Sequence, residues 1–388
     1  MRRSSSVPRP ALAVAAVSLC APVLLGVGVA TASDASTVGG RTLGHHGVVV
    51  DGARAPQVWA QAWVLADATT GQVLAAKNAH VRHRPASTLK TLTAVTLLPR
   101  LSKNRVYKVQ WRDAAVEGSA VGIVPGATYT VDQLFYGMLL PSGNDAAHAL
   151  ACAAGGMHHT VVLMQRQAER LQANDTTVVN PSGLDADGQY TSAYDLALFA
   201  RAGLSRSDFR RYVGTVTTSF PGGMPKHKSG KRPTYQIYNQ NPLLLTGYRG
   251  VVGVKTGYTT LAGRTFVGAA KRDGHLLIVS LMGVVEPSGA AAERLLDWGF
   301  AHRTQVSPVG VLVDPLPKHS ATTTTASDTS VVTPPTAPVA AQGNGVSDLW
   351  VGMIVIAVAA LGAAVVWSVR VRRSRSKRQE RIPFTISH

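Results

Sequence analysis

The spacing of apolar residues changes along the chain, and these changes predict where helices and strands lie. Two short apolar runs at 63–67 and 73–76, joined by a turn containing Gly71, predict a β-hairpin. Apolar residues then recur at helical spacing, which predicts helices at 87–98, 131–140, 145–154, 160–173 and 192–202. Beyond residue 234, β-rich runs predict strands at 235–238, 251–255, 265–270 and 276–282, and a helix follows at 290–298.

Strands thus lie at both ends of the central region, and helices lie between them. This order predicts a mixed α/β domain of the α+β kind, in which one antiparallel sheet joins the N- and C-terminal segments and is flanked by helices. The helices between the strands would form a helical subdomain. The predicted domain covers residues 56–312, a length that can bury a substantial core.

The N-terminus has the pattern of a secretory signal. Three arginines before residue 10 precede a charge-free stretch at 11–29, and the small residues 30–32 follow. We predict a cleaved signal peptide at 1–32 and a flexible segment at 33–55. The apolar run is long for a signal peptide, so an uncleaved anchor is the alternative. Both interpretations place the domain outside the cytoplasm, because the arginines of an anchor would stay inside.

A second apolar stretch, near the C-terminus, has the length of a membrane span. Residues 349–369 carry no charge, and at about 1.5 Å per residue they give roughly 30 Å of helix, the thickness of a hydrocarbon core. We predict a transmembrane helix at 348–369 in the cytoplasmic membrane and a basic cytoplasmic tail at 370–388, since positive residues concentrate on the cytoplasmic side. A Pro/Thr/Ala-rich linker at 313–347 would separate this helix from the domain.

Composition describes a basic chain with few charged residues. The 388 residues are 45% hydrophobic and 15% charged, with a net charge of +18. Three of these charges lie before residue 10 and a net six after residue 369, so nine remain for the long middle. This distribution argues against a nucleic-acid partner. Cys152 has no partner if Cys20 is removed with the signal, and we interpret it as a buried packing thiol.

No pattern in the chain indicates a cofactor or a metal site. The adjacent residues His158 and His159 cannot both face one ion from a helix, so we interpret both side chains as solvated. The basic loop at 226–232 lacks the first glycine and the hydroxyl residue of a phosphate loop, and we expect it to be exposed. The predicted chemistry therefore uses amino-acid side chains alone.

Three short motifs occur in order and predict a catalytic site. They are Ser87-Thr-Leu-Lys90 at the start of a predicted helix, Ser142-Gly-Asn144 in a break between helices, and Lys255-Thr256-Gly257 at the end of a strand. Each motif alone is weak, and a second Ser-x-x-Lys occurs at 374–377. The order and the local context of the three together make the prediction specific.

The first motif suits nucleophilic catalysis by serine. Residues i and i+3 at a helix start place Lys90 one turn from Ser87, so the amine can take the hydroxyl proton. Lysine acts as a base only if its pKa is depressed, and desolvation together with the second cation Lys255 would depress it. The backbone N–H groups of Ser87 and Tyr258 would form the oxyanion hole.

The other two motifs would position the substrate. Ser142 would relay a proton to the leaving nitrogen, and Asn144 would hold an amide carbonyl. Lys255 and Thr256 would bind a carboxylate. The edge strand 255–259, which includes Gly257, would pair with an extended substrate backbone.

The motifs and their flanks resemble those of the D-alanyl-D-alanine carboxypeptidases, the low-molecular-mass penicillin-binding proteins of serine peptidase family S11. The similar stretches are 85–94, 141–147, 180–185, 190–197 and 255–259, within a similarity that extends from about residue 58 to about residue 305. The resemblance implies a transpeptidase/β-lactamase-like fold, removal of the terminal D-Ala from peptidoglycan stem pentapeptides that end in D-Ala-D-Ala, and acylation by β-lactams. It carries over the same roles to the motif residues, position by position.

Two features depart from the pattern of the family. Many members have an all-β domain between the catalytic domain and the membrane, whereas only a short low-complexity linker follows here. Residues 284–290 contain no arginine, although some members carry a basic residue there, near the substrate carboxylate. The way in which this chain recognises a C-terminal carboxylate therefore stays open.

Two other functions also stay open. A β-lactamase would share the three motifs, but it needs a residue that activates water, typically a glutamate, and Glu169 falls within a predicted helix. A non-catalytic penicillin-binding sensor or scaffold would need neither nucleophile nor base, yet Ser87, Lys90 and Lys255 are all present. Turnover of a D-Ala-D-Ala peptide, compared with stable labelling by penicillin, distinguishes the three.

Overall fold

The computed structural model describes residues 37–225 and 230–317. The predicted signal peptide, the transmembrane helix, the cytoplasmic tail and most of the linker lie outside these residues. Within the described ranges, no helix is long and apolar enough to span a bilayer.

The described residues contain strands at both ends and helices between them, as predicted. The strands are β1 (Val48–Val50), β2 (Ala62–Asp67), β3 (Gln72–Lys77), β4 (Val106–Lys108), β5 (Thr128–Thr130), β6 (Thr217–Pro221), β7 (Thr234–Tyr238), β8 (Val251–Thr259), β9 (Gly263–Arg272), β10 (His275–Val284) and β11 (Gly310–Val311). The α-helices are α1 (Lys90–Leu97), α2 (Trp111–Ala114), α3 (Val131–Leu139), α4 (Asn144–Ala153), α5 (Met157–Arg170), α6 (Ala193–Leu204), α7 (Ser207–Gly214), α8 (Pro242–Leu245) and α9 (Ser288–His302). Two 3-10 helices lie at Arg41–Gly44 and Ala86–Leu89.

One antiparallel sheet of seven strands organises the domain. Its order is β1-β3-β2-β10-β9-β8, and β11 also pairs with β3. Strands from the N-terminal and C-terminal segments therefore share one sheet, which confirms the predicted α+β architecture. Strand β8 lies at one edge, so the side of β8 away from β9 has no strand partner among the described residues.

Helices cover both faces of the sheet, which explains why its inner strands are apolar throughout. All six residues of β2 are buried, and they alternate between two cores with the period of two that a strand imposes. Val64 belongs to the larger core, on the side of the helical subdomain, whereas Leu65 packs with Leu295 of α9 on the other face. Burial on both faces removes the polar alternation that marks a half-exposed strand.

The N-terminal segment is ordered where the sequence predicts flexibility. From residue 37 onward it contains a 3-10 helix and β1, and β1 pairs with β3 from Val48–Lys77 to Val50–Ala75. Leu43 is 1% exposed and belongs to the larger core. The prediction of a flexible segment at 33–55 is therefore wrong for 37–55, because one buried leucine and a short valine run attach this segment to the sheet edge.

The strand predicted at 235–238 forms, but it lies outside the main sheet. It is β7, which pairs only with β6 among the described strands, in register from Thr217–Tyr238 to Pro221–Thr234. The sequence of β6 contains a single large apolar residue that is buried, Phe220, and its polar neighbours hide the strand from pattern analysis.

Candidate active site

Ser87 lies in a tight turn at the start of the first long helix. The 3-10 helix Ala86–Leu89 precedes α1, which begins at Lys90, so the predicted helix start is a 3-10 turn. Side chains three residues apart eclipse each other in a 3-10 turn, and this brings Lys90 over Ser87. Ala86, just before the nucleophile, has a φ of 47°, a left-handed conformation that a residue with a Cβ adopts at a cost of about 1–2 kcal/mol.

The amine of Lys90 is fully buried and contacts three oxygen atoms. Its Nζ lies 2.9 Å from the Oγ of Ser87, 2.7 Å from the Oδ1 of Asn144 and 2.7 Å from the carbonyl oxygen of Ser182. An amide oxygen and a carbonyl oxygen only accept hydrogen bonds, so the amine donates to both. A neutral amine has two N–H bonds, and its lone pair then points to the hydroxyl of Ser87.

Burial and a second amine keep the pKa of Lys90 low. Desolvation is the larger cause, the positive charge of Lys255 adds to it, and the carboxylate of Asp145 opposes both. Asp145 is held by four backbone N–H groups, from Val121, Gly122, Ile123 and Ala146, at 2.7–3.1 Å. Because those bonds share its charge, Asp145 does not cancel the effect of burial on the pKa of Lys90.

Lys255 is also buried, at 2% exposure, on the edge strand β8. Its Nζ donates to the carbonyl oxygen of Thr256 at 2.9 Å, and burial lowers its pKa to about 7. An amine with that pKa changes its charge near neutral pH. Burial therefore lowers the pKa of both lysines, and the charge of Lys255 adds to the effect on Lys90.

A cavity of about 320 Å³ opens above Ser87, and most residues predicted for the site line it. Its lining includes Ser142, Thr256, Gly257 and Tyr258 together with Ser87. Ser142 is 4% exposed and has a φ of 68°, so the break between α3 and α4 takes a left-handed turn at this residue. Parts of all three motifs therefore meet in one place.

Strand β8 approaches the nucleophile so closely that only glycine fits at position 257. A Cβ on Gly257 would lie 2.8 Å from the backbone nitrogen of Ser87 and 2.4 Å from the Oγ1 of Thr265. Thr265 Oγ1 in turn donates to the carbonyl oxygen of Pro85 at 2.9 Å. These contacts fix the strand against the turn and place the backbones of Ser87 and Tyr258 on the same cavity.

Asn144 lies beside the amine of Lys90. Its Oδ1 accepts from Nζ, and its Nδ2 donates to the carbonyl oxygen of Glu117 at 2.6 Å. This contact orients the amine, and a contact of Asn144 with a substrate carbonyl stays a prediction. The side chain lies at the first position of α4, which sets its direction.

Sequence reasoning missed two contributors to the site. The sequence alone assigns no role in catalysis to the turn at 180–183, yet the carbonyl oxygen of Ser182 accepts from Lys90, and the Oδ1 of Asn180 fixes that turn by accepting from Ser182 and Gly183. Arg264 of β9 lines the cavity beside Thr256. Pairing of Tyr258 with Arg264 across β8 and β9 gives the register that places it there.

Cys152 is half-buried rather than fully packed, and a base lies beside it. Its Sγ is 3.6 Å from the Nδ1 of His148, which is also 2.8 Å from Asp113 Oδ1. The sequence interpretation of Cys152 as a buried thiol without such a neighbour is wrong, because Asp113 and His148 meet it from α2 and α4. The ligand atoms of the three residues lie within 4.8 Å of one another, so this is the group of described residues whose chemistry fits a metal ion.

Comparison with known families decides the class of protein. The sequence model of the D-alanyl-D-alanine carboxypeptidases, family S11, matches residues 50–286. The chain belongs to this family. Its members are serine peptidases, and the resemblance noted from the motifs is confirmed.

Curated relatives in the family are bacterial enzymes. The D-alanyl-D-alanine carboxypeptidase DacB2 of Mycobacterium tuberculosis is 40% identical over 255 residues, which cover 64% of this chain and 84% of the relative. DacF of Bacillus subtilis is 32% identical, with 62% of each protein covered. DacD of Escherichia coli is 34% identical, with 65% of this chain and 66% of the relative covered. The chain thus spans slightly less than two thirds of the latter two relatives.

Solved structures share the fold of the domain. The D-alanyl-D-alanine carboxypeptidase from Mycobacterium tuberculosis has a TM-score of 0.62 at 38% identity, and the match covers 69% of this chain and all of that one. The DD-transpeptidase from Streptomyces K15 has a TM-score of 0.60 at 28% identity, over 64% of this chain and all of that one. The transpeptidase-like fold predicted for the family is therefore confirmed for this chain.

Proposed function

We propose that this family member acts through an acyl-enzyme on Ser87 and removes the terminal D-Ala from peptidoglycan stem pentapeptides. The observation that supports the proposal most directly is the environment of Lys90. Two oxygen acceptors take the N–H groups of its amine, and the third neighbour, 2.9 Å away, is the hydroxyl that must lose a proton. A buried lysine with a depressed pKa is a base suited to that step.

In the first half of the reaction, Ser87 Oγ attacks the carbonyl carbon of the penultimate D-Ala. The proton of Ser87 passes to Lys90, and the backbone N–H groups of Ser87 and Tyr258 stabilise the oxyanion. The C–N bond then breaks, and the proton moves from Lys90 through Ser142 to the leaving amine. Free D-Ala departs, and the peptide stays attached to Ser87 as an ester.

In the second half, water releases the peptide. Lys90, again neutral, takes a proton from the water molecule that attacks the ester carbonyl. The C–O bond to Ser87 breaks, and the serine regains its proton. β-Lactams acylate the same serine in this proposal, because their strained amide resembles the scissile bond but keeps its leaving group attached.

The substrate would bind along the free edge of β8. An extended peptide adds to an exposed strand edge through backbone hydrogen bonds, which do not depend on its side chains. At the carboxyl end of the substrate, Thr256 and Arg264 offer a hydroxyl and a cation on the cavity wall, and the buried amine of Lys255 would add positive charge next to Thr256. Arg264 is exposed and lies on the strand next to β8, so it would supply the basic group that residues 284–290 lack.

A β-lactamase fits this cavity less well than a carboxypeptidase. The other described residues that line the cavity of Ser87 include three serines and two threonines but no carboxylate. Glu169 lies on the exposed side of α5 and does not line the cavity. Without a carboxylate to activate water, the acyl-enzyme formed with a β-lactam should be long-lived.

The decisive experiment combines labelling with turnover. Fluorescent penicillin should label the full-length protein on Ser87, and the protein should release D-Ala from a peptide that ends in D-Ala-D-Ala. Ser87→Ala should abolish both, whereas Ser374→Ala, in the second Ser-x-x-Lys, should change neither. Lys90→Ala should lower acylation by several orders of magnitude, and the double variant should be little worse than Ser87→Ala, since nucleophile and base act as a unit.

Each competing function predicts a different outcome. Rapid hydrolysis of a chromogenic cephalosporin, with no stable label, would identify a β-lactamase. Stable labelling without release of D-Ala would identify a sensor or scaffold. Labelling that survives Ser87→Ala would show that another residue is the nucleophile.

We also propose that the domain faces the outside of the cell and is anchored by residues 348–369. The support is the charge-free length of 349–369 and the basic residues after it. External protease on intact cells should remove the domain and leave a small membrane-bound C-terminal fragment. Release of the full-length protein by a high-salt wash would contradict the anchor, because salt screens charges but does not extract a buried apolar helix.

A further inference from the structure

A second cavity, larger than the one above Ser87, is built mainly from arginine. It has a volume of about 580 Å³ and shares no lining residue with the catalytic cavity. We call it the arginine pocket. Its four arginines come from the turn after α1, from α5 and from the α6–α7 connection: Arg100, Arg166, Arg170 and Arg206.

The described residues balance only part of the positive charge of the arginine pocket. Arg206 forms a bidentate pair with Asp208, at 2.9 and 2.6 Å. Arg100, Arg166 and Arg170 form no ion pair within the described residues.

The carboxylates nearest to the pocket in sequence do not neutralise it. Glu169, which precedes Arg170, makes no ion pair with the described arginines, and Asp314 pairs with Arg201 outside the pocket. Burial lowers the pKa of Arg100, and the charge of Arg170 lowers it further, so these two guanidinium groups lie close enough to repel each other.

A buried polar side chain in the same pocket has no partner. Gln167 is 6% exposed and lines the arginine pocket, and among the described residues its amide makes no hydrogen bond. Its neighbour Gln165, on another side of α5, bonds the backbone of Thr176 and Val178. The amide is not among the buried polar atoms that lack a partner, so it reaches the opening of the pocket, where it can bond a ligand beside three unpaired arginines.

We propose that the arginine pocket binds a phosphate-bearing anion. One guanidinium group can bind two phosphate oxygens at once through two parallel N–H bonds. Several converging arginines match the tetrahedral arrangement of phosphate oxygens better than they match the two oxygens of one planar carboxylate. The amide nitrogen of Gln167 would donate a further bond. The ligand would relieve the repulsion between Arg100 and Arg170.

Two sources supply this chemistry: a soluble phosphate and the phosphodiester head group of an anionic lipid. The volume of the pocket exceeds the needs of a single phosphate ion, which favours a phosphate with an organic group attached. Pro315 also lines the pocket, and the described chain ends two residues later, on the side of the sequence that leads to 348–369. The experiment therefore includes a probe for each source.

The test measures binding of two probes to the full-length protein in a non-ionic detergent by titration calorimetry. The probes are inorganic phosphate and water-soluble dihexanoyl phosphatidylglycerol. The variant Arg166→Gln/Arg170→Gln removes two adjacent cations of α5, and Gln167→Leu removes the amide while keeping its volume. The control Arg54→Gln/Arg249→Gln removes the same charge from exposed residues outside the pocket.

Saturable binding of at least one probe should weaken at least tenfold in the Arg166→Gln/Arg170→Gln variant and change little in the control. Gln167→Leu should weaken it by a smaller factor, and unchanged thermal melting would show that the variants are folded. Tighter binding of the lipid probe than of inorganic phosphate would identify a lipid head group as the ligand. Equal or tighter binding of inorganic phosphate would identify a soluble phosphate as the ligand. Absence of saturable binding to either probe, or equal weakening in the control, would overturn the proposal.

Discussion

Two buried amines share the site, and the balance between them is set at the level of single residues. Burial is the main reason for the low pKa of both Lys90 and Lys255, and the charge of Lys255 lowers the pKa of Lys90 further. Lys90 must be neutral to take a proton, whereas Lys255 must be charged to attract a carboxylate. Under the proposed mechanism, we therefore expect one lysine to set each limit of the pH range of activity.

The rate of acylation against pH should separate the two lysines. In the wild type, the rising limb follows loss of the proton from Lys90, and the falling limb begins near pH 7, where Lys255 loses its charge. Lys255→Ala removes a like charge, so the rising limb should move to higher pH. Lys255→Arg stays charged, so its falling limb should move far above neutral pH while affinity drops.

Acylation by a carboxylate-bearing β-lactam, measured from pH 5 to pH 10 in the three proteins, checks both limbs. In Lys255→Ala the rising limb should move only part of the way toward the usual pKa of lysine, because Lys90 stays buried. Superimposable rising limbs in the wild type and Lys255→Ala would show that burial alone sets the pKa of Lys90.

Arg264 should matter for binding more than for chemistry. Arg264→Gln removes the exposed cation on the cavity wall, so KM for a peptide ending in D-Ala-D-Ala should rise about tenfold while kcat changes little. The same peptide with an amidated C-terminus should be cleaved equally by both proteins, since it has no terminal charge. Arg249→Gln, an exposed arginine that does not line the cavity, is the control. Loss in kcat alone would contradict a role in carboxylate binding.

At the scale of single residues, the side chains that take part in the chemistry could be predicted from the sequence, whereas the contributing backbone groups could not. Ser87, Lys90 and Lys255 have distinctive types and spacings, and the structure places Ser87 and Lys90 in contact. The carbonyl of Ser182 has no signature, because every residue has one. Arg264 was missed because only the pairing of β9 with β8 places it beside the cavity.

Strand β8 and the turn at Ala86–Leu89 act as one unit, and Gly257 is the position at which they meet. Gly257→Ala would place a methyl group 2.8 Å from the nitrogen of Ser87, and the strand would have to move away from the nucleophile. Acylation should fall at least tenfold, since small displacements of reacting groups cost large factors in rate.

Rates of penicillin labelling and thermal melting together check this prediction. Gly223→Ala is the control, because the nearest atoms to its added methyl group lie at an ordinary 3.6 Å. Labelling of Gly257→Ala at the wild-type rate would show that the strand tolerates the shift.

Elements with strong periodicity were predictable, and those held by tertiary contacts were not. Helix α3 has apolar residues at helical spacing and a capping box in which the side chains of Thr130 and Gln133 bond each other's backbone. Strands β9 and β10 are long apolar runs. In contrast, β6 is polar apart from Phe220, and β11 has two residues, so pairing with a neighbour rather than local sequence defines them.

For the molecule as a whole, the buried lysines lower stability at neutral pH. An unfolded Lys255 keeps its proton up to about 10.5, whereas the folded one loses it near 7. Between these values the unfolded state binds more protons, so the free energy of unfolding should rise with pH. Each lysine contributes a slope of up to about 1.4 kcal/mol per pH unit.

The variant Lys255→Met isolates the contribution of Lys255 to the pH dependence of the free energy of unfolding. It should be more stable than the wild type at pH 7, and the difference should shrink as the pH approaches 10, with acylation reduced throughout. Urea unfolding of both proteins at pH 7, 8 and 9, followed by tryptophan fluorescence, gives the difference at each pH. A difference that stays constant with pH would show that Lys255 has the same charge in both states.

The two ends of the described chain meet at the edge of the sheet opposite to β8. Strands β1 and β11 both pair with β3, and the N–H of Val311 donates to the carbonyl oxygen of Gly39 at 2.8 Å. Three strands separate β3 from β8, a distance of about 19 Å at the usual spacing. We therefore expect mechanical tension applied at either end to act first on the strands that pair with β3, and the edge of β8 to keep its shape while the domain is pulled.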